Sequence, residues 1–146
     1  MRLFIFLFCI SSIQVFSSDA TPSVKKAVAP GRYPPIAQIA KISGTVEVSV
    51  LVGVDGKVAS VVSSKSSDGR QNLIPNAEMY AKRWEFSGPS NGPISITIEY
   101  RLLPQDESNF HRLQQGELGS EFISPRTIVV TGVIGYLPYY SMPNKE

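Results

Sequence analysis

Cysteine is almost absent from this 146-residue chain: the single one, Cys9, lies inside the N-terminal apolar stretch. Once that stretch is removed, no disulfide, thiolate nucleophile or thiolate metal site remains. Histidine is equally scarce, with His111 alone. A histidine-rich metal centre is excluded, and Asp and Glu are dispersed without ligand spacing. Neither sign of charge dominates: 14 Lys and Arg stand against 12 Asp and Glu, and the basic residues are scattered. That balance argues against a nucleic-acid or membrane-surface role. A long hydrophobic run is missing too. Leu3 to Phe16 is apolar over about 14 residues, short of the roughly 20 that a membrane-spanning helix needs. Behind Met1-Arg2 and ahead of Ser18-Asp19-Ala20 it reads as a signal peptide over residues 1–20, and export is expected to remove the first 17 to 20 residues, with an uncleaved anchor as the alternative. Phe8 stands where a lipoprotein signal would want a small residue, so no lipid anchor is expected.

What is present is alternation. Val46, Val48, Val50, Val52 and Val54 fall on one face of a period-two segment, with Thr45, Glu47 and Ser49 on the other. Asp55-Gly56 tolerates positive φ at both turn centres, which predicts a tight hairpin into a strand over Val58 to Ser63. Ser63 to Arg70 reads as a solvated connection. From Asn72 to Trp84 the period changes to 3.6, with Leu73, Ala77, Tyr80, Ala81 and Trp84 on one stripe, and Pro75 is acceptable in the first turn. Gly88 to Pro93 ends that element. Ile94, Ile96, Ile98, Tyr100 and Leu102 then alternate with Ser95, Thr97, Glu99 and Arg101 in a second half-buried strand. A short helix over Pro35 to Lys41, with Ile36, Ile39 and Ala40 on one side, precedes the first strand. The expected fold is α+β, in the order α-β-β-α-β: a small antiparallel three-stranded sheet with helices on one face.

Tyr33-Pro34 with Ala37, Gly44-x-Val46-x-Val48, Asp55-Gly56-x-Val58, Ala77, Trp84-x-Phe86 and Ile98-x-Tyr100-x-Leu102 stand in the order and spacing of TonB C-terminal domains. Residues 33–103 resemble that family, whose founding member energises outer-membrane receptors. The resemblance implies a periplasmic, non-catalytic module of the cell envelope. It would capture the TonB box of a TonB-dependent outer-membrane receptor, or a similar extended peptide, by β-augmentation on the last strand of its sheet. An edge strand offers unpaired N–H and C=O groups, so affinity comes from the main chain. Candidate contacts are the outward residues Ser95, Thr97, Glu99 and Arg101, together with Tyr33 and Pro34. Tyr33 reads equally as a buried staple at the helix entry. The family often carries Gln before Tyr-Pro, where this chain has Arg32. No cofactor, small-molecule substrate or nucleic acid is implied. Homodimerisation through the same edge, in an envelope assembly protein, is the alternative.

Residues 21–32 read as a short linker, reaching about 40 Å when extended. That is too short for a transducer that crosses the periplasm, so a detached module is expected. Residues 104–146 form an extension. Gln105 to Ser120 is a polar connection with a helical turn around Phe110 to Gln115, and residues 127–134 form a candidate strand. Thr127, Ile128, Val129, Val130 and Thr131 look like a receptor's TonB box and equally like a plain strand. They are a candidate self-docking strand for the edge of Ile94 to Leu102, with Pro at Val129 expected to disturb it. Tyr136, Tyr139, Tyr140, Pro138 and Pro143 make an aromatic, proline-interrupted end. Gly88-Pro89-Ser90-Asn91-Gly92 matches Gly-x-Ser-x-Gly, with Asp106 and His111 following, but a nucleophile elbow joins strand to helix and here a helix runs into a strand. No catalytic role is expected, and Ser90→Ala is expected to change almost nothing.

Overall fold

Val46, Val48 and Val50 are fully buried and Val52 nearly so, as the alternation requires of a strand with one face on a core. The computed structural model describes residues 21–135 apart from Asp68 and Arg70, so the signal segment and the Tyr136 to Pro143 end lie outside the described residues. In chain order the elements are β1 (Val24–Lys26), α1 (Pro35–Ile39), β2 (Gly44–Val52) and β3 (Val58–Ser66). A 3₁₀ turn (Gln71–Leu73) then runs into α2 (Ile74–Ala81), followed by β4 (Glu85–Phe86), β5 (Ile94–Leu103), α3 (Glu107–Gln114), β6 (Ser120–Ser124) and β7 (Thr127–Val133).

The class is α+β, but the sheet has five strands rather than three and is mixed. Its order is β3-β2-β5-β7-β6, and β1 and β4 form a separate two-stranded ribbon. Only the β5–β7 pair is parallel; β2 pairs antiparallel with both β3 and β5, and β6 with β7. One face carries the core. Val46, Val48 and Val50 of β2, Ile94, Ile96, Ile98 and Tyr100 of β5, and Ile128 and Val130 of β7 meet Tyr33, Ala37, Leu73, Ala77, Ala81, Trp84 and Phe86.

Several local expectations need correction. Val54 is 93% exposed, because β2 stops at Val52 and the hairpin is a longer loop closed by Gly53 N–H on the Lys57 carbonyl at 2.9 Å. Asp55 does not take positive φ; its carboxylate accepts from Lys57 N–H at 3.0 Å, and only Gly56 is left-handed, at φ 78°. Gly56 is also pressed against the Phe86 carbonyl, which leaves no room for a Cβ. β3 runs on to Ser66, through the first half of the expected connection. α2 ends at Ala81, so Trp84 enters the core from the turn behind the helix, its N–H on the Ala81 carbonyl at 3.1 Å. On α1 the buried residues are Ala37 and Gln38, while Ile36 and Ile39 are exposed. A five-residue helix has one turn to orient, and Tyr33 before it and Ile42 after it set which side faces inward.

Residues 21–32 do not run free. β1 pairs with β4, the Trp84 indole N–H donates to the Val28 carbonyl at 3.0 Å, and Ser120 Oγ bonds the Pro30 carbonyl. The segment straps the core face from the β4 side to β6. Its residues Val24, Ala27, Val28 and Ala29 are small enough to lie flat against the cluster.

Candidate functional site

The edge of β5 away from β2 is the place the resemblance assigns to a peptide, and β7 lies along it. Thr97 faces Thr127, Ile98 faces Ile128, Glu99 faces Val129, Tyr100 faces Val130 and Arg101 faces Thr131, continuing to Leu103 beside Val133. Thr97 N–H donates to the Arg126 carbonyl at 2.8 Å and Ile134 N–H to the Leu103 carbonyl at 3.0 Å. A parallel ladder alternates its bonds residue by residue. The N–H groups of Ile128, Val130 and Gly132 therefore point to β5, and those of Val129 and Thr131 to β6, as Thr131 N–H on the Gly119 carbonyl at 2.7 Å shows. Proline at Val129 thus removes a β6 bond. The substitution that breaks the β5 ladder is at Val130.

Side chains follow the same alternation. Ile128 and Val130 are fully buried in the core, and Val129 is 4% exposed on the other face. Gly132 lies under the Tyr33 ring, where a Cβ would come within 2.8 Å of Tyr33 Cγ and 2.9 Å of its Cβ. Tyr33 itself is fixed at both ends. Its hydroxyl donates to the Ile42 carbonyl at 2.6 Å, and its ring meets Tyr100 edge to face at 5.8 Å. Burial pushes the Tyr33 phenol up to about 12. Tyr100 is raised well above the usual phenol range, first by burial and then by Tyr33 and Tyr80, and its hydroxyl donates to Asn76 Oδ1 at 2.8 Å. Pro34 precedes α1 and accepts from Gln38 N–H at 2.9 Å, holding the helix entry.

The other candidate contacts sit on the polar face of the sheet, between β2 and β7 where β7 reaches them. Ser95 precedes the β7 pairing, and its hydroxyl donates to Glu47 Oε1 at 2.5 Å. Arg101 donates to Glu99 Oε1 at 2.7 Å through Nη2. Thr97 lies between Glu47 of β2 and Thr127 of β7. The backbone groups of Thr97, Glu99 and Arg101 on the β7 side are already engaged. Arg32 is exposed and lines a cleft of about 230 Å³ with Tyr33, Gln38, Leu113, Leu118 and Gly132.

Sequence reasoning missed three contributors. Gln38 is buried and donates through Nε2 to the Val133 carbonyl at 2.7 Å, tying α1 to β7; one polar residue on a short helix gives no periodic signal. β6 lies almost wholly beyond the Gln105 to Ser120 connection and gives no strand signal, since Ser-Glu-Phe-Ile-Ser does not alternate, yet its Phe122 ring reaches within 6.3 Å of the Trp84 ring. The third is the strap. Ser90 is also corrected: its Oγ accepts from Val52 N–H at 3.0 Å and its own N–H donates to the Val52 carbonyl at 3.1 Å. It closes the end of β2. It stands before the start of β5, whereas Asp106, which caps α3 through Asn109 N–H at 2.7 Å, stands beyond its far end. Ten strand residues, roughly 30 Å, lie between them.

The order α1, β2, β3, α2, β5 is that of a small sheet-and-helix domain. Residues 29–102 match the family described as the Gram-negative bacterial TonB protein C-terminal, over just half of the chain. The chain belongs to this family, one of non-catalytic interaction domains. The search of curated proteins returns no match. Among the described residues no helix is long and apolar enough to cross a membrane.

Proposed function

We propose that this chain is a periplasmic, non-catalytic strand-binding module whose recognition edge, on β5, is filled by its own β7. In this reading the edge accepts an extended peptide of the TonB-box kind, and the tail acts as a tethered occupant. The observation that carries it is the seven-position parallel pairing of Thr127–Val133 along Thr97–Leu103. Without β7 the backbone row on that side of β5 would be open, which is the feature that β-augmentation uses.

The outer strands are poorer substitutes. β3 carries two extra residues, Val62 between the Val61–Val50 and Ser63–Ser49 pairs and Ala59 between the Ser60–Leu51 and Val58–Val52 pairs. Bulges of this kind twist an edge away from pairing. β6 has only five residues. A tethered strand competes at an effective concentration of order millimolar, so a free peptide is strongly disfavoured in the intact chain.

The test is calorimetric titration of the full chain with a synthetic peptide of the sequence Arg126 to Val133. The intact protein should show no binding at micromolar concentrations, and a Val130→Pro variant that remains folded by circular dichroism should bind. Equal affinity for both forms would show that β7 does not occupy the site used. No binding to the folded variant would remove the β5 edge as a peptide site.

A further inference from the structure

We infer that the β5 edge is sequence-selective, taking a parallel strand that presents β-branched apolar residues opposite Ile98 and Tyr100 and glycine opposite Leu102, where Tyr33 closes over it. This rests on the peptide-binding reading of the same edge and names what it would select. The ligand class is an extended peptide of the form β-branched apolar, apolar, β-branched apolar, any, Gly.

The first two positions follow from depth. The residues facing Ile98 and Tyr100, Ile128 and Val130, are wholly enclosed, so a polar group there would lose its water without a partner. β-branched side chains also suit the extended backbone. The glycine rule follows from what lies above Gly132. The atoms that a Cβ would meet are Tyr33 Cβ, Cγ and Cδ2, the root of the side chain, and no rotation of the ring about its own axis clears them. Nor can the root move freely. The Tyr33 hydroxyl is bonded to Ile42 and the ring packs on Tyr100. Pro34 and Pro35 stiffen the chain just behind it, and Gln38 ties α1 to Val133. A larger residue must displace the whole helix entry.

The positions on the opposite face carry less information. Thr127 and Thr131 are only partly buried, whereas Val129 between them is 4% exposed and calls for an apolar residue as well. Selection is thus concentrated in the three inward residues, with an apolar requirement at the Val129 position on the other face, and a strand offered antiparallel or shifted by one would put the wrong set inward.

Three peptides titrated into full-length Val130→Pro test the rule: the Arg126 to Val133 sequence, the same with alanine for the glycine, and the same with serine for the isoleucine and the second valine. The native peptide should bind at least about tenfold tighter than either relative. Equal binding of the native and alanine peptides would overturn the glycine rule while leaving edge pairing intact; absence of all binding to the folded variant would overturn both. If Val130→Pro does not fold, a cycle in the full chain decides. Gly132→Ala should lower the melting temperature strongly beside Tyr33 and hardly at all in a Tyr33→Ala background. An equal loss in both backgrounds, or no loss in either, would mean that Tyr33 does not read this position.

Discussion

Truncating Trp84 to alanine should destabilise the protein by about 3–5 kcal/mol, the range for removing a large buried aromatic. The ring is fully buried and holds three parts of the chain together. It packs at 6.3 Å from Phe86 of the ribbon and at 6.3 Å from Phe122 of β6, and its N–H holds the strap through Val28. Trp84→Phe removes that last bond together with part of the buried ring and should cost roughly 1–3 kcal/mol, less than alanine. For a domain of this size each kcal/mol corresponds to roughly 3–6 °C in Tm. Trp84→Ala should therefore melt more than about 10 °C below the parent, and Trp84→Phe between the two. Trp84 is the sole tryptophan, so unfolding of the variants is followed by far-ultraviolet circular dichroism in urea rather than by indole fluorescence. A loss below about 1 kcal/mol for Trp84→Ala would show that the ribbon, the strap and β6 do not converge on this side chain.

The raised phenols predict alkaline sensitivity: Tyr33, near 12 in the fold against an ordinary value of 10.0, and Tyr100, raised with it, favour the folded state while neutral. Their contribution is complete below pH 10 and is lost as pH rises through the folded values, about 2–3 kcal/mol for Tyr33; phenolate absorbance should show two of the six tyrosines ionising only as circular dichroism is lost, and ionisation of all six in a folded chain would contradict this. Ser90→Ala should destabilise by about 1 kcal/mol, because Val52 N–H loses its partner; a urea midpoint identical to the parent's would show that the bond contributes nothing net.

How much of this could be read in the sequence depended on whether a residue's role repeats along the chain. The valines of β2 and the isoleucines of β5 repeat at two, and Leu73, Ala77 and Ala81 at 3.6, so their strands, helix and inward faces were legible. Trp84 was placed correctly in the core but on the wrong element, since a helical stripe extrapolates smoothly into a turn. Ile36 and Ile39 were misplaced because a single helical turn carries too little periodicity to outweigh the anchors at Tyr33 and Ile42. The strap, β4 and β6 left no periodic trace: Val24–Lys26 and Glu85–Phe86 are too short to alternate, and Phe122 faces the core through one side chain. Gly132 was legible only as a residue that ends a Thr-Ile-Val-Val-Thr run. Its meaning is set by Tyr33, 99 positions away in the chain, since a missing Cβ acquires a function only from what packs over it. The pairing of the two depends on β7 lying parallel to β5 in one register. A shift by one residue would bring Thr131 or Val133 under the ring, and each carries the β-branched carbon that the space excludes. Tyr33 and Gly132 thus fix the register of the tail as well as accommodating it, and the same contact that seats β7 sets the condition a competing strand must meet.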